Sequence, residues 1–382
     1  MVPSARVRIL LDYRPALRER TGVGEYVHGL ASALRAQLSA GDALVLFSSS
    51  FRDRLDPSAV PGATTVDARV PVRALNYAWH RLEWPPVELF AGGADIVHAA
   101  HPLLIPSRRA SVRAITIYDL DFLDHPERTS AEIRRDYAPL VQAHAARADL
   151  VVTISRHSAA QIADRLRVPP DRLVICRPGA PPWTRREEPP GIGPILFVGT
   201  IEPRKNVGVL LRAYARVVEG RPQVPPLVLA GRAGHGSQDI LRSLREPPLA
   251  GRVQHLGYVD DATRRSLFER ASMVIVPSLE EGFGLPALEA MAAGVPVVAS
   301  RRGALPEVIG DAGILVDAED DVAFAAAIDA LLADPARRQS HADAGAARAR
   351  GFTWEESAAR LLAAYRSALQ HRAGALPRRA HA

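Results

Sequence analysis

The chain has 382 residues, 47% of them hydrophobic, which is enough for two domains of ordinary size. Its single cysteine, Cys176, excludes an internal disulfide framework and fits a reducing compartment. The net charge of +6 suits an anionic partner, but no basic run is interleaved with aromatics, so a nucleic-acid platform is not expected.

The first residues show a short apolar run without a signal-peptide pattern, and no apolar run reaches about 18 residues. Neither a leader nor a transmembrane helix is therefore expected, and the protein reads as cytoplasmic. In chain order, "VRILLD" (7–12) predicts a first strand, followed by a helix from about Gly24 to Gln37. "ALVLFSS", "ADIVHAA", "RAITIYD" and "ADLVVTIS" predict further buried strands. In the second half "PILFVGT", "PPLVLAG", "RVQHLG", "ASMVIVPS" and "VPVVAS" do the same. Near-continuous Val/Ile/Leu runs suit parallel strands covered on both faces, and their alternation with helices predicts a doubly wound α/β architecture.

Between the two sets lies "CRPGAPPWTRREEPPGIGP" (176–194), with six prolines and three glycines. It can continue neither a helix nor a central strand, so it reads as an interdomain linker. One domain is expected over 1–185 and another over 190–350, with the binding site in the cleft between them. At the end, "TWEESAARLLAAYRSALQ" opens with Thr353 and has Glu356 three positions on, the pattern of a capping box before a helix of about 354–371. The last dozen residues read as a frayed basic tail.

Two loops carry candidate chemistry. In "EEGFGLPALEAMAAGVPVVAS" (280–300), Pro286 fits a helix start and Gly294 a helix end. The turn Gly282, Phe283, Gly284 and Leu285 would then offer backbone N–H groups at a helix N-terminus, suited to phosphate. Glu281 before the turn and Glu289 after it could both accept hydrogen bonds from sugar hydroxyls; they would equally serve to complement the helix dipole. In "ILFVGTIEPRKNVGVLLRAYARV", Arg204 and Lys205 stand between a strand end and a helix with Asn206 as expected N-cap. A guanidinium fork and a point charge there suit a diphosphate, or are a solvated loop. No strand is followed by a GxGxxG fingerprint, which disfavours a nicotinamide dehydrogenase.

These motifs resemble those of the retaining glycosyltransferases of family 4, which have the GT-B fold of two Rossmann-like domains. The resemblance is close over about 194–345, through "FVGTIEPRKNVGVLLRAY", "VLAGRAG", "VQHLGYVDD" and "GALPEVIGDAGILVDAEDD", with the family's Glu-x7-Glu signature on Glu281 and Glu289. It is looser over the first half, through "TGVGEYVHGLASAL", "ADIVHAAHPLLIP", "DLDFLDHPE" and "ADLVVTISRHSAAQI". The resemblance implies sugar transfer from a nucleotide-sugar donor to a glycan or lipid-linked acceptor in polysaccharide, glycolipid or glycoconjugate synthesis.

The resemblance implies that Arg204 and Lys205 neutralise the diphosphate and that Gly282 to Leu285 offer N–H groups to the donor. It implies that Glu281 contacts the donor sugar and Glu289 the ribose, with Gly199 and Thr200 bordering the phosphates. Gly231 and Arg232 would end a strand at the cleft, with Tyr258 and Val259 at the base. Gly22 and Gly24 would lie in an N-terminal loop near donor and acceptor. The last helix would pack back on the first domain. No cofactor and no metal are expected. The pattern leans towards mannosyltransferase-like relatives, hence GDP-mannose before UDP-sugars.

One departure stands out. Where many relatives carry a His-Asp pair, this chain has Tyr118 and Asp119, and tyrosine is a poor base at neutral pH. His98 and His101 end another strand and are candidates to stand nearby. Two other classes compete: a non-catalytic nucleotide-sugar binder, and a same-fold epimerase or phosphorylase. Arg108, Arg109, Arg113, Arg134 and Arg135 suggest association with an anionic membrane, at its inner face.

Overall fold

The computed structural model describes residues 6–17, 22–129, 131–186, 192–221 and 223–375. In chain order the first elements are β1 (Arg8–Asp12), α1 (Gly22–Gln37), β2 (Ala43–Ser48), β3 (Thr64–Asp67), α2 (Val72–Tyr77), α3 (Glu88–Ala91) and β4 (Ile96–Ala99). They continue with β5 (Val112–Thr116), α4 (Asp121–Asp124), α5 (Ala131–Arg147), β6 (Leu150–Thr153), α6 (Arg156–Arg165) and β7 (Leu173–Ile175). The second half runs β8 (Ile195–Val198), α7 (Val207–Gly220), β9 (Leu227–Ala230), α8 (Gln238–Ser243), β10 (Val253–Gly257), α9 (Asp261–Arg270) and β11 (Met273–Val276). It ends with α10 (Leu285–Ala293), β12 (Val297–Ser300), α11 (Leu305–Ile309), β13 (Ile314–Val316), α12 (Asp321–Ala333), α13 (Pro335–Ala349) and α14 (Trp354–Ala375).

These elements form two compact units: residues 1–124, 130–179 and 353–382 in one, and 125–129 with 180–352 in the other. The first contains an all-parallel sheet in the order β3-β2-β1-β4-β5-β6-β7. The second contains an all-parallel sheet in the order β10-β9-β8-β11-β12-β13. Both are doubly wound, with the direction of winding reversing at β1/β4 and at β8/β11.

The sheet centres follow from composition. In β1, Ile9, Leu10 and Leu11 are buried although successive side chains point to opposite faces, because helices cover both faces. In the second unit, α7 and α12 pack together, and Leu210 and Tyr214 on one and Phe324 and Ile328 on the other are fully buried in the same core. Each such apolar side chain contributes about 1.5–3 kcal/mol by leaving water.

Every strand predicted from an apolar run is present, but "RVQHLG" corrects its expected burial. It is the edge strand β10, alternately half-buried and exposed. Three further edge strands, β3, β7 and β13, have only three or four residues each and no residue fully buried.

The chain passes between the units after Gly179, earlier than the expected 185, because the end of the proline-rich segment is already held by the second unit. The Trp183 ring lies 5.3 Å from that of Phe268, and Arg186 donates to the carbonyl of Ala271 at 2.6 Å. The expected boundary at 190 falls outside the described residues, as does the end of the basic tail.

Helix α14 belongs to the first unit, where it packs against α1. Thr353 Oγ1 accepts from the N–H of Glu356 at 3.2 Å, one half of the capping box. The other half is absent: the Glu356 carboxylate is drawn instead to Arg177 and Arg360.

Candidate functional site

In open parallel sheets the crevice beyond the carboxyl ends of the strands, where winding reverses, is open to ligands. In the second unit that place is flanked by the loops after β8 and β11, and these are the two loops that carry the motifs. They are joined directly: the N–H of Leu279 donates to the carbonyl of Arg204 at 2.8 Å, and Arg204 Nη1 donates to the carbonyl of Glu280 at 3.3 Å.

Glu281 is the electrostatic centre of this junction. It is buried, and its Oε1 accepts from Lys205 Nζ at 2.6 Å and from Ser278 Oγ at 2.7 Å. Arg204 Nη1 lies 3.9 Å from Oε2, while its Nη2 reaches Glu202 at 3.3 Å. Burial alone would raise the Glu281 carboxyl; the charges of Lys205 and Arg204 and the hydrogen bonds outweigh it and hold the group below its ordinary value. Glu281 is therefore ionised at neutral pH and aligns both cations.

Asn206 precedes α7 but does not cap it with its side chain. It takes a left-handed conformation at φ 52°, and Nδ2 donates to the carbonyls of Pro277 and Ala318 at 3.1 and 2.7 Å. The residue expected as a helix cap is thus a clamp between three loops.

After Glu281, the turn Gly282-Phe283-Gly284 leads into α10. Gly284 is its N-cap at φ 99°, where a side chain would also meet Leu305. Leu285 opens the helix, so its N–H has no intrahelical acceptor, and Pro286 follows within the first turn. Phe283 is buried and packs edge-on against Phe352. One turn on, Glu289 is buried and pairs with Arg264 on α9, Nη1 to Oε1 at 3.1 Å. The Arg264 guanidinium lies 5.9 Å from the centre of the Trp183 ring.

The loops after β8 and β9 complete the floor. Gly199 and Thr200 follow β8, and Gly231 and Arg232 follow β9. At Gly231, φ is 153° and an added Cβ would stand 1.9 Å from the carbonyl oxygen of Gly199, so only glycine lets these exits lie side by side. The Arg232 guanidinium covers the Tyr258 ring at 4.9 Å, with Tyr258 and the half-buried Val259 following β10. All the second-half candidates therefore gather at one end of one sheet.

Three contributors carried no separate signal in the sequence. Arg264 looks like its neighbour Arg265, and only the fold aims one at Glu289 and the other at Glu269. Ser278 supports Glu281 from three residues away. Gly303, at φ 58°, lets the backbone of Glu281 approach: a Cβ there would lie 2.5 Å from the Glu281 carbonyl oxygen, which itself accepts from Ala304 N–H.

The first-half candidates belong to the other unit. Gly22 and Gly24, expected in a loop, open helix α1 instead, Gly22 exposed and Gly24 buried. The Tyr118 hydroxyl donates to the carbonyl of Ala100 at 3.1 Å, and its ring meets Tyr26 edge-on. Burial, with Asp12 and Tyr137 adding to it, raises the phenol well above its ordinary value, so it is no base. Asp119 is half-buried and accepts from the N–H of Asp121 at 3.2 Å.

Neither histidine replaces the missing one at that position. His98 is enclosed between Tyr365 Oη (2.5 Å) and Thr116 Oγ1 (2.8 Å), and burial lowers its pKa to about 4. His101 is lowered to about 3 by burial and contacts Arg14 at 3.0 Å, which grips the buried Asp12 with Nε and Nη2 at 2.8 and 2.9 Å.

Comparison with known proteins gives these geometries a context. Residues 20–182 match the family described as Glycosyltransferase Family 4, and residues 193–334 match Glycosyl transferases group 1. The chain is 29% identical over 381 residues to O-antigen chain mannosyltransferase B of Escherichia coli, covering 94% of this chain and 100% of that protein. It is 31% identical over 313 residues to the D-inositol 3-phosphate glycosyltransferase of Thermobifida fusca, covering 75% of this chain and 67% of that protein. Its fold is similar to that of sucrose-phosphate synthase from Thermosynechococcus elongatus, with a TM-score of 0.76, 24% identity, 96% of this chain covered and 100% of that one.

Proposed function

The chain belongs to the family 4 glycosyltransferases, and we propose that it moves a sugar from a nucleotide-diphosphate donor to an acceptor hydroxyl with retained anomeric configuration. Mannose carried on GDP is the favoured donor, supported by the full-length similarity to an O-antigen mannosyltransferase; UDP-sugars are the second choice. The observation that carries the reading is the Arg204–Lys205–Glu281 junction beside the N-terminus of α10, with Glu289 one turn further on.

The chemistry follows from charge. As the bond between anomeric carbon and phosphate oxygen breaks, negative charge grows on the diphosphate. Arg204, Lys205 and the Leu285 N–H form a positive field already fixed in place, which is where electrostatic stabilisation is most effective. Glu281 orients the cations and faces the sugar, and Glu289 accepts from the ribose hydroxyls. Gly199 and Thr200 border the phosphates, while Gly231, Arg232 and the Tyr258–Val259 pair bound the base. The acceptor oxygen attacks from the face the diphosphate leaves, and the departing phosphate oxygen takes its proton. The products are the glycoside and a nucleoside diphosphate. No protein nucleophile and no metal are needed, so a chelator should leave turnover unchanged.

The test is incubation of purified protein with GDP-mannose, UDP-glucose and related donors and a panel of acceptors. Proton NMR of the product reads the anomeric configuration. Transfer with retention supports the proposal; an inverted product, or donor cleavage that never yields a glycoside, overturns it.

A second reading concerns where the acceptor is met. Arg113 and Arg135 are paired with Asp149 and Asp136, which weakens the arginine pattern as a membrane footprint. The segment 77–84 is a better one: Tyr77, Leu82 and Trp84 are 65%, 63% and 62% exposed. Aromatic and aliphatic side chains of this kind suit an interfacial position. No described helix is long and apolar enough to cross a membrane. Co-sedimentation with anionic phosphatidylglycerol vesicles, lost in Leu82→Ser/Trp84→Ser, supports this reading, and no co-sedimentation at low salt removes it.

A further inference from the structure

The loop after β8 carries Arg204 and Lys205, and the residue that ends it, Asn206, has a geometry that α7 does not require. Residues Pro203–Lys205 form one tight turn, in which the N–H groups of Lys205 and Asn206 donate to the carbonyls of Glu202 and Pro203 at 3.0 and 3.1 Å. Such a turn alone does not fix two long side chains with several rotatable bonds each. Asn206 then takes φ 52°, a left-handed conformation that asparagine visits more readily than most residues with a side chain. A capping asparagine would accept from the first N–H groups of its own helix; this one makes no such bond.

Its amide nitrogen faces two acceptors instead, the carbonyl of Pro277 directly after β11 and that of Ala318 two residues after β13, at 3.1 and 2.7 Å. An amide nitrogen has two hydrogens, so each finds one partner. Pro277 is the neighbour of Ser278, whose hydroxyl donates to Glu281, and Glu281 accepts from Lys205 Nζ. The bonds therefore close on themselves. Lys205 is held at its ammonium through Glu281 and Ser278, and at its backbone through Asn206 and Pro277. The Leu279 N–H, which donates to the Arg204 carbonyl at 2.8 Å, is a strut across this ring. The carbonyl of Ser278 is itself tied to Ser300 Oγ at the end of β12, at 2.5 Å. The two cations are thus referenced to the exits of β11, β12 and β13, and Asn206 supplies two of the connecting bonds.

We propose that Asn206 is a positioning residue for departure of the diphosphate: without touching substrate, its two-carbonyl clamp holds Arg204 and Lys205 where negative charge grows. The assignment rests on the transferase reading, in which the electron pair of the breaking anomeric bond stays on the phosphate oxygen. Fixed cations act most strongly on the state with the most charge. At neutral pH the departing nucleoside diphosphate carries more negative charge on its terminal phosphoryl group than the intact nucleotide-sugar does. Loosening the clamp therefore penalises the leaving group, and the transition state leading to it, more than the bound donor. The signature is a lower kcat at nearly constant KM.

The experiment uses the full chain and two variants. Asn206→Gly keeps the left-handed backbone and removes both donors. Asn206→Asp keeps the side-chain shape and turns acceptors towards the two carbonyls. Titration calorimetry with GDP and GDP-mannose, and with UDP and UDP-glucose, gives for the series that binds the ratio of diphosphate to sugar-conjugate affinity. That ratio is taken within each protein, so a loss of folded fraction does not alter it, and either variant alone suffices. The ratio should fall at least fivefold in both variants, through weaker diphosphate binding with sugar-conjugate binding within about twofold. In the transfer assay kcat should fall about tenfold or more, with donor KM within about twofold. An unchanged ratio overturns the proposal and leaves Asn206 a purely structural clamp, even where the melting temperature drops. A raised KM at unchanged kcat also overturns it, because Asn206 would then serve the bound donor. If no nucleotide binds the wild type, the transferase reading falls and takes this role with it.

Discussion

Glu281→Gln isolates the charge at the centre of the site. The amide has nearly the same shape and its oxygen can still accept from Ser278 and Lys205, so packing is kept and only the negative charge is lost. What remains is Lys205, with its side chain 13% exposed, and Arg204, at 22%, facing a neutral group. Removing one partner of a fully buried pair costs about 3–5 kcal/mol; partial access of water to both cations reduces this to about 2–3 kcal/mol here. Urea unfolding at pH 7 measures it directly. The pH dependence fixes the cause. The folded-state pKa of Glu281 lies below its unfolded value of about 4.3, so its contribution is complete above that value and disappears as pH falls through the folded pKa. The stability curves of wild type and variant should therefore converge in acid. A variant as stable as the wild type at pH 7, or a gap that persists undiminished to about pH 3, would refute the reasoning.

Gly231→Ala and Gly303→Ala should each destabilise by about 2 kcal/mol or more in thermal unfolding, because each Cβ would strike the backbone of Gly199 or Glu281 at a positive φ; a change under about 0.5 kcal/mol contradicts the packing described. Arg264→Met should raise KM for the donor about tenfold with little change in kcat, since Arg264 holds Glu289 and does not touch the reacting atoms; a fall in kcat alone would assign it another role. His98 stays neutral in the folded protein down to about pH 4, whereas an unfolded histidine protonates near pH 6.5. Stability should therefore fall as pH drops through that window, and His98→Gln should flatten the slope by up to about 1.4 kcal/mol per pH unit; an unchanged slope would place the titration elsewhere.

The two sheets were legible because strands buried on both faces must be written as unbroken apolar runs, as in "PILFVGT" and "ASMVIVPS". Edge strands β3, β7 and β13 were not, because three or four half-buried residues leave no pattern. The charged loops could be read from local chemistry: a glycine turn, a proline in the first helical turn and a basic pair after a strand. What the sequence could not show was pairing at long range. Lys205 and Glu281 are 76 residues apart, and that contact turns two separate motifs into one junction. Asn206 has the residue type of a cap but spends its amide on two distant carbonyls. Tyr118 was visible as a departure, yet only the fold shows its hydroxyl committed to Ala100.

The most direct test of the central claim is a thermal-shift measurement with GDP, UDP, ADP and their sugar conjugates on wild type and Glu289→Ala. A ligand at 100 times its dissociation constant stabilises by about 2.7 kcal/mol. The account predicts that one nucleotide series stabilises the wild type and that Glu289→Ala loses most of the shift, through the lost ribose contact. No shift from any nucleotide, or an equal shift in both proteins, would contradict it.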